Sequence, residues 1–150
     1  AFSEVVNRLG FTAEVMREAK LEKPAGLGAR EADLTLLESR YSQRSIIDMM
    51  DNLTGIEDVY SGNYHAEPGF GVADFVSEDA REIDNSMREA TAAVRDVLGS
   101  FDGTLEEAIV AEDGKMETLY ERIKELQRVI QVDLSNHLGV VVTFSESDGD

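Results

Sequence analysis

A chain of 150 residues is long enough for one domain, and its 42% hydrophobic content can supply a buried core. Its 31 acidic and 14 basic residues give a net charge of −17, which argues against nucleic-acid binding, because phosphates are bound by clustered Lys and Arg. The chain has no cysteine, which excludes disulfides, zinc–thiolate sites and thiol nucleophiles, and it has no apolar run of membrane-spanning length.

The first segment carries apolar residues every three to four positions from Phe2 onward, which predicts a helix. Gly10 is a weak point inside this pattern, because glycine is a poor helix former. Pro24, Gly26 and Gly28 then predict the end of the helix and a loop.

A second helix is predicted to begin near Ser42, a suitable N-cap, and to end at Gly62. Gly55 lies inside it, where glycine costs about 1 kcal/mol relative to alanine, so we expect a neighbouring helix to pack closely there. Asn52 lies on or beside the same face, and a buried amide needs a hydrogen-bond partner. A structural role and a binding role for Asn52 both stay open, and an irregular loop is expected over residues 61–71.

A third helix is predicted from about Asp79, because Asp79 and Glu82 have the spacing of a capping box. After a break at two glycines, Thr104 and Glu107 repeat that spacing and predict a short helical segment.

The last helix has the clearest pattern and is predicted from Met116 to Leu138, with Gly139 ending it. The following residues 140–144 favour an extended conformation, and 145–150 form a polar tail. These segments predict an all-α fold, an antiparallel helical bundle of four main helices with a short extended C-terminal tail. The positions expected to be buried share one three-to-four spacing and are Leu53, Ile56, Ile83, Met87, Val94, Ile123, Leu126 and Ile130.

The two histidines do not form a metal-ligand set by spacing. His65 has one nearby carboxylate, Glu67, whereas a protein metal site needs three or four ligands. His137 follows Asp133 by four positions, which is compatible either with an oriented imidazole or with a charge at a helix C-terminus. We therefore predict no catalytic residue, no metal ligand and no cofactor in this chain.

Two ordered groups of residues near the start of the second helix and at the C-terminus resemble one known family. The first group is Tyr41-Ser42, then Asn52-Leu53-Thr54-Gly55-Ile56 and Val59-Tyr60-Ser61-Gly62. The second group is Val132-Asp133-Leu134, Leu138-Gly139-Val140, Thr143-Phe144 and Asp148-Gly149-Asp150. In this order and over nearly the whole chain, the pattern resembles the imelysin family.

The resemblance implies an all-helical protein of two bundle-like halves in the bacterial periplasm or outer membrane, associated with iron-regulated uptake and first named for a metallopeptidase activity. The family's Gly-x-His-x-x-Glu motif belongs to its N-terminal half, and neither His65 nor His137 has a Glu three positions later. Residues 1–150 are therefore expected to be an imelysin-like C-terminal helical-bundle half, without the N-terminal half that carries this motif.

The family's site lies between the two halves, so the resemblance implies that Tyr41, Ser42 and Asn52 are binding residues. Arg44 departs from the small or amide residue that is common at its position in the family. This departure weakens the assignment of contacts from that loop.

Three functions stay open. The first is a non-catalytic binding or scaffold half of a cell-envelope protein associated with iron acquisition. The second is a part of a metallopeptidase whose metal site lies in the separate N-terminal half, and the third is a self-sufficient acidic helical interaction module. We expect this chain alone not to be an enzyme, and we expect iron or another divalent metal in the complete protein.

A partner is also expected. The chain starts at Ala1 with neither an initiator Met nor a signal peptide, which predicts a processed product or a fragment. Ile46, Ile47, Met49 and Met50 cannot all face one narrow seam. The partner is predicted to be the N-terminal half or a second copy, and the alternative is a compact monomer whose methionines fill gaps in the core.

Overall fold

The computed structural model describes residues 1–27, 31–39, 41, 43–64 and 67–143. Most of them are helical, which confirms the predicted all-α class. In chain order the main helical elements are α1 (Phe2–Arg17), a π-helical segment (Glu18–Glu22), α2 (Lys23–Ala25), α3 (Ser45–Ser61), α4 (Arg81–Gly99), α5 (Leu105–Ala111), α6 (Lys115–Arg128), a second π-helical segment (Val129–Leu134) and α7 (Ser135–Leu138). Short 3-10 turns cover Leu34–Leu36, Val72–Phe75 and Glu78–Ala80.

Strand structure in the described part of the chain is a single antiparallel pair of two residues each, β1 (Asn63–Tyr64) and β2 (Glu67–Pro68). Pairing joins Asn63 to Pro68 and Tyr64 to Glu67. The loop predicted over residues 61–71 therefore contains a small hairpin that its composition did not predict.

One apolar core lies between the four long helices. Helix α1 contacts α3 and α6, and α4 also contacts both α3 and α6. Every position predicted to be buried is buried except Ile83, which is partly exposed and packs against the core. The three-to-four spacing thus identified the inward faces correctly, because it follows directly from the 3.6-residue helical repeat.

Polar side chains connect the long helices at their edges. Arg17 at the end of α1 donates from Nε to Gln127 Oε1 at 2.7 Å and from Nη1 to Tyr120 Oη at 3.1 Å, both on α6. On another side of the core, Lys115 Nζ at the start of α6 donates to the carbonyl of Ser100, just after α4.

Of the glycines inside α1 and α3, Gly10 and not Gly55 lies at a close approach to another segment. A Cβ at Gly10 would lie 3.0 Å from Cγ of Gln131, so α1 passes close to the second π-helical segment. At Gly55, no atom of the described residues lies within 4 Å of the corresponding position. The predicted close helix contact at Gly55 is therefore wrong, because the outer face of α3 at that point borders open space.

Helix α3 begins at Ser45 with Arg44 at the N-cap, and the predicted N-cap Ser42 lies outside the described residues. Gly62, with a φ of +75°, ends α3 as predicted. Ser45 itself donates from its hydroxyl to the carbonyl of Glu38, which ties the first turn of α3 to the preceding segment.

The two predicted capping boxes have different outcomes. The one at Asp79 is wrong: a 3-10 turn intervenes, α4 begins at Arg81, and Ala80 takes the N-cap position. The box at Thr104 is confirmed, since Glu107 N donates to Thr104 Oγ1 at 3.2 Å and Thr104 N donates to Glu107 Oε2 at 2.8 Å. These reciprocal bonds satisfy two amides at the start of α5.

The predicted last helix is present as α6, the second π-helical segment and α7, and Gly139, with a φ of +65°, ends it. Residues 140–143 form no strand. Asn7 binds them instead, donating to the carbonyl of Val141 at 3.0 Å and accepting from the amide of Thr143 at 2.9 Å, so α1 uses backbone groups that a strand partner would have taken. The remainder of the predicted tail, 144–150, lies outside the described residues.

Across the described ranges, no helix is long and apolar enough to cross a membrane.

Candidate binding groove between α1 and α3

An open cavity of about 670 Å³ runs between α1 and α3. Its apolar wall is formed by Val5 and Leu9 of α1 with Ile56 and Val59 of α3, and Gly55 leaves the α3 wall without a side chain. A mostly apolar cleft with a few polar groups is the usual form of a binding site. We refer to this cavity as the α1–α3 groove.

Asn52 of α3 is a polar residue of the groove whose side-chain oxygen lacks a hydrogen-bond partner among the described residues. Its Oδ1 is buried, and within the described part of the chain it accepts no hydrogen bond. An unsatisfied buried acceptor costs about 1–3 kcal/mol, so such groups are normally paired.

The helical repeat explains how Asn52 reaches the groove. Leu53, the next residue, is fully buried in the core, and a turn of about 100° per residue directs its neighbour to an adjacent face. Ile56 and Val59, four and seven positions after Asn52, line the same groove.

The opposite side of α3, which faces α4, has its polar groups paired. Tyr60 Oη donates to Asp84 Oδ1 at 2.9 Å, and Arg88 Nε donates to Asp84 Oδ2 at 2.8 Å. The hydrogen bond from Arg88 holds the pKa of Asp84 below its usual value, and the bond from Tyr60 acts in the same direction. Burial, followed by the bond to Asp84, raises the pKa of Tyr60 above its usual range.

Arg95 of α4 adds a second connection on this side. It pairs with Glu57 through two nitrogens and donates from Nη2 to Thr54 Oγ1 at 3.1 Å, and its Nη1 lies 3.1 Å from the sulfur of Met50. Three successive turns of α3 are thus bonded to one side chain of α4.

The predicted binding residues do not form one cluster. Asn52 lies in the α1–α3 groove, whereas Tyr41 is 100% exposed before α3 begins. Ser42 lies outside the described residues, as does His65. A binding role for Tyr41, Ser42 and Asn52 stays a prediction.

His137 has a structural contact that its spacing did not predict. Its Nε2 accepts a hydrogen bond at 3.3 Å from the amide of Ser77, just before the turn that leads into α4. Asp133, the expected neighbour on its helix face, is paired with Arg128 at 3.0 Å. Across the residues that the structure describes, no three His, Asp or Glu side chains are grouped so that they could hold a metal ion.

The contribution of α1 to the groove was missed by sequence reasoning, although a signal exists. Glu4, Arg8 and Thr12 line it together with the apolar residues of α1. Helices α4 and α6 confine their apolar residues to one face, whereas α1 and α3 carry them on several faces. Apolar residues outside the face that packs against the core therefore distinguish α1 and α3 from the other long helices in the sequence.

A smaller cavity of about 350 Å³ continues the groove toward the hairpin, and Val5 and Val59 line both spaces. Its wall includes Phe70, which is 91% exposed, and Phe75, whose ring centroid lies 4.5 Å from that of Phe2. The apolar surface is therefore longer than the groove alone.

No curated protein and no solved structure matches this chain. The family model Imelysin, a peptidase family, matches residues 1–130, which is most of the 150 residues. This chain belongs to the imelysin family.

Proposed function

We propose that this chain is a non-catalytic binding half of an imelysin-like protein of the bacterial cell envelope, in the periplasm or at the outer membrane, that takes part in iron acquisition. The observation that carries the proposal is the α1–α3 groove with the unpaired, buried Oδ1 of Asn52. The N-terminal half is the proposed partner, and iron or another divalent metal is proposed to bind in the complete protein.

The groove supports a binding role by its chemistry. Its apolar wall supplies affinity by removing hydrocarbon surface from water, and one oriented acceptor supplies specificity. Family membership supports the link to imelysins. Bonds between opposite ends of α3 and α4, from Tyr60 to Asp84 and from Arg95 to Met50, support an antiparallel arrangement of this pair within the proposed bundle of four main helices.

A second candidate is a part of a metallopeptidase, and the peptidase designation of the matched family favours it. In that case the metal and the activated water belong to the N-terminal half. The α1–α3 groove would then bind part of the substrate or of the catalytic half.

The test is co-expression of this chain with the polypeptide encoded upstream of it, followed by light scattering, metal analysis after dialysis and a peptide-cleavage assay. We expect a one-to-one complex that retains iron, while this chain alone retains none and cleaves no peptide. Cleavage by the complex would favour the second candidate.

Two variants separate a specific role of the groove from a general effect. Asn52→Leu should weaken the complex by about tenfold or more, because it removes the acceptor of the groove. A tenfold change in affinity corresponds to about 1.4 kcal/mol. Asn85→Leu, at an exposed position of α4, should leave it unchanged. Iron retained stoichiometrically by this chain alone, or a complex that is indifferent to Asn52→Leu, would contradict the proposal.

A further inference from the structure

We infer that the α1–α3 groove receives an amphipathic helix of a partner protein whose polar face is basic. This inference rests on the proposed function, because it specifies the chemistry of the partner that the groove binds.

The shape of the groove fits a helix. It runs between two helices, and its apolar wall comes from residues three and four positions apart, Val5 with Leu9 and Ile56 with Val59. An amphipathic helix that lies in such a groove inserts its own apolar residues at the same spacing. Gly55 leaves room for a large side chain of the incoming helix, since no atom of the described residues is within 4 Å of its missing Cβ.

The outer faces of α1 and α3 support a large occupant. Val5 is 39% and Val59 43% exposed, and both also line the cavity that continues toward Phe70 and Phe75. Contiguous exposed apolar surface on a soluble protein typically marks an interaction site. A helix several turns long would cover both cavities, whereas a small ligand would leave one of them open.

The charged side chains of this surface favour a basic partner. Glu4 and Asp51 border the groove and Asp58 borders its continuation, and the positive groups of the described lining are Arg8 and the amino group of Ala1. A second copy would present the same acidic surface, in a chain with 31 acidic and 14 basic residues. Like charges brought together across an interface oppose binding, so a basic helix is the complementary occupant.

The buried acceptor adds one requirement. Oδ1 of Asn52 needs a donor that reaches between apolar side chains, and Arg and Lys carry donors on long apolar stems. A basic residue within the apolar face of the partner helix, opposite Asn52, satisfies this requirement when the side chains that shield Oδ1 from solvent move aside.

The experiment measures binding of three stapled helical peptides, each as long as α3, to the full chain by fluorescence anisotropy. The first has a leucine face with one central Arg and a Lys-rich polar face. The second has the same leucine face and Arg with a Glu-rich polar face, and the third replaces the central Arg of the first with norleucine. We expect the basic peptide to bind about tenfold more tightly than the acidic one at low salt, with a smaller difference at high salt.

Gly55→Leu and Gly99→Leu are matched variants, because both glycines lie in helices and a Cβ at either position meets no atom of the described residues within 4 Å. Gly55→Leu should fill the groove and weaken the basic peptide by about tenfold or more, whereas Gly99→Leu should not. Both variants should melt no lower than the unmodified chain, because leucine is the better helix former. Norleucine in place of Arg should weaken binding to the unmodified chain but not to Asn52→Leu.

Several results would overturn the inference. One is equal binding of the basic and acidic peptides, and another is binding that is insensitive to Gly55→Leu. Self-association of the free chain that Gly55→Leu abolishes would identify a second copy as the occupant. Failure of all peptides alongside an intact complex with the upstream polypeptide would reject this inference and leave the proposed function standing, and the reverse result would reject the proposed function alone.

Discussion

The two sides of α3 differ in how their polar groups are satisfied. Toward α4, Tyr60 binds Asp84 and Glu57 binds Arg95, so the contact is completed by side chains of this chain. Toward α1, the buried Oδ1 of Asn52 has no partner among the described residues, and Gly55 borders open space. One side of α3 therefore makes polar contacts that this chain completes, whereas the other side keeps an unpaired acceptor and open space among the described residues.

The largest expected change in stability is at the contact between α3 and α4. Tyr60→Phe removes the donor to Asp84 while keeping the ring in the core, and a hydrogen bond to a charged group contributes about 1.5–3 kcal/mol. We expect a loss near the lower end of this range in urea unfolding at neutral pH, because Asp84 keeps its bond to Arg88. Tyr41→Phe, at a fully exposed position before α3, is the control and should change little.

On the side of α3 toward α1, we expect the change in the free energy of unfolding to have the opposite sign. Asn52→Leu replaces an unpaired buried acceptor by an apolar side chain of similar size, and we expect the free energy of unfolding to rise by about 1 kcal/mol. The control, Asn85→Leu on the exposed face of α4, should give a smaller change. Destabilisation by Asn52→Leu would show that the amide stabilises the fold and would remove the contrast between the two sides.

Gly55→Ala is expected to raise the melting temperature, since alanine is more favourable than glycine inside a helix by about 0.5–1 kcal/mol and nothing in the described chain obstructs the added methyl group. Gly10→Ala is the contrasting variant, because its Cβ would lie 3.0 Å from Gln131. A lower melting temperature for Gly55→Ala would indicate a close contact on this side after all.

The smallest effect is the pH dependence of the Asp84 pair. Arg88 lowers the pKa of Asp84 below its usual 3.8, so the stabilisation is complete above that value and is lost as the pH falls through the lower folded-state pKa. Because Arg88 is 58% and Asp84 31% exposed, solvent screening limits this contribution to about 1 kcal/mol or less. The stability difference between the unmodified chain and Asp84→Asn should therefore shrink between about pH 5 and pH 2, as ordinary carboxyl titration indicates. The trend should be weaker in an Arg88→Gln background, which lacks the hydrogen bond that lowers the pKa of Asp84.

Much of the fold was predictable because its signals are local. Helical spacing identified the buried positions, Gly62 and Gly139 ended helices through left-handed conformations, and Thr104 with Glu107 formed the predicted capping box. The box at Asp79 failed because a 3-10 turn moved the start of α4 to Arg81. The π-helical segments were not predicted, since they change the register of a helix without changing its composition.

The candidate site was predictable only in part. The family resemblance pointed to Asn52, and the structure places it in a groove, but it does not bring Tyr41 there. Glu4, Val5 and Arg8 of α1 were missed because their relation to α3 depends on which helices become neighbours.

By itself the sequence determined the all-α class, the inward faces of α3, α4 and the last helix, and several helix ends, because helical periodicity and turn chemistry act over a few residues. Only the tertiary structure decided that Gly10 rather than Gly55 lies at a close approach, that Asp133 pairs with Arg128 while His137 binds the chain before α4, and that Asn52 lies unpaired in a groove. Each of these outcomes depends on the distance between segments that are far apart in the chain, and that distance is set by how the whole core packs.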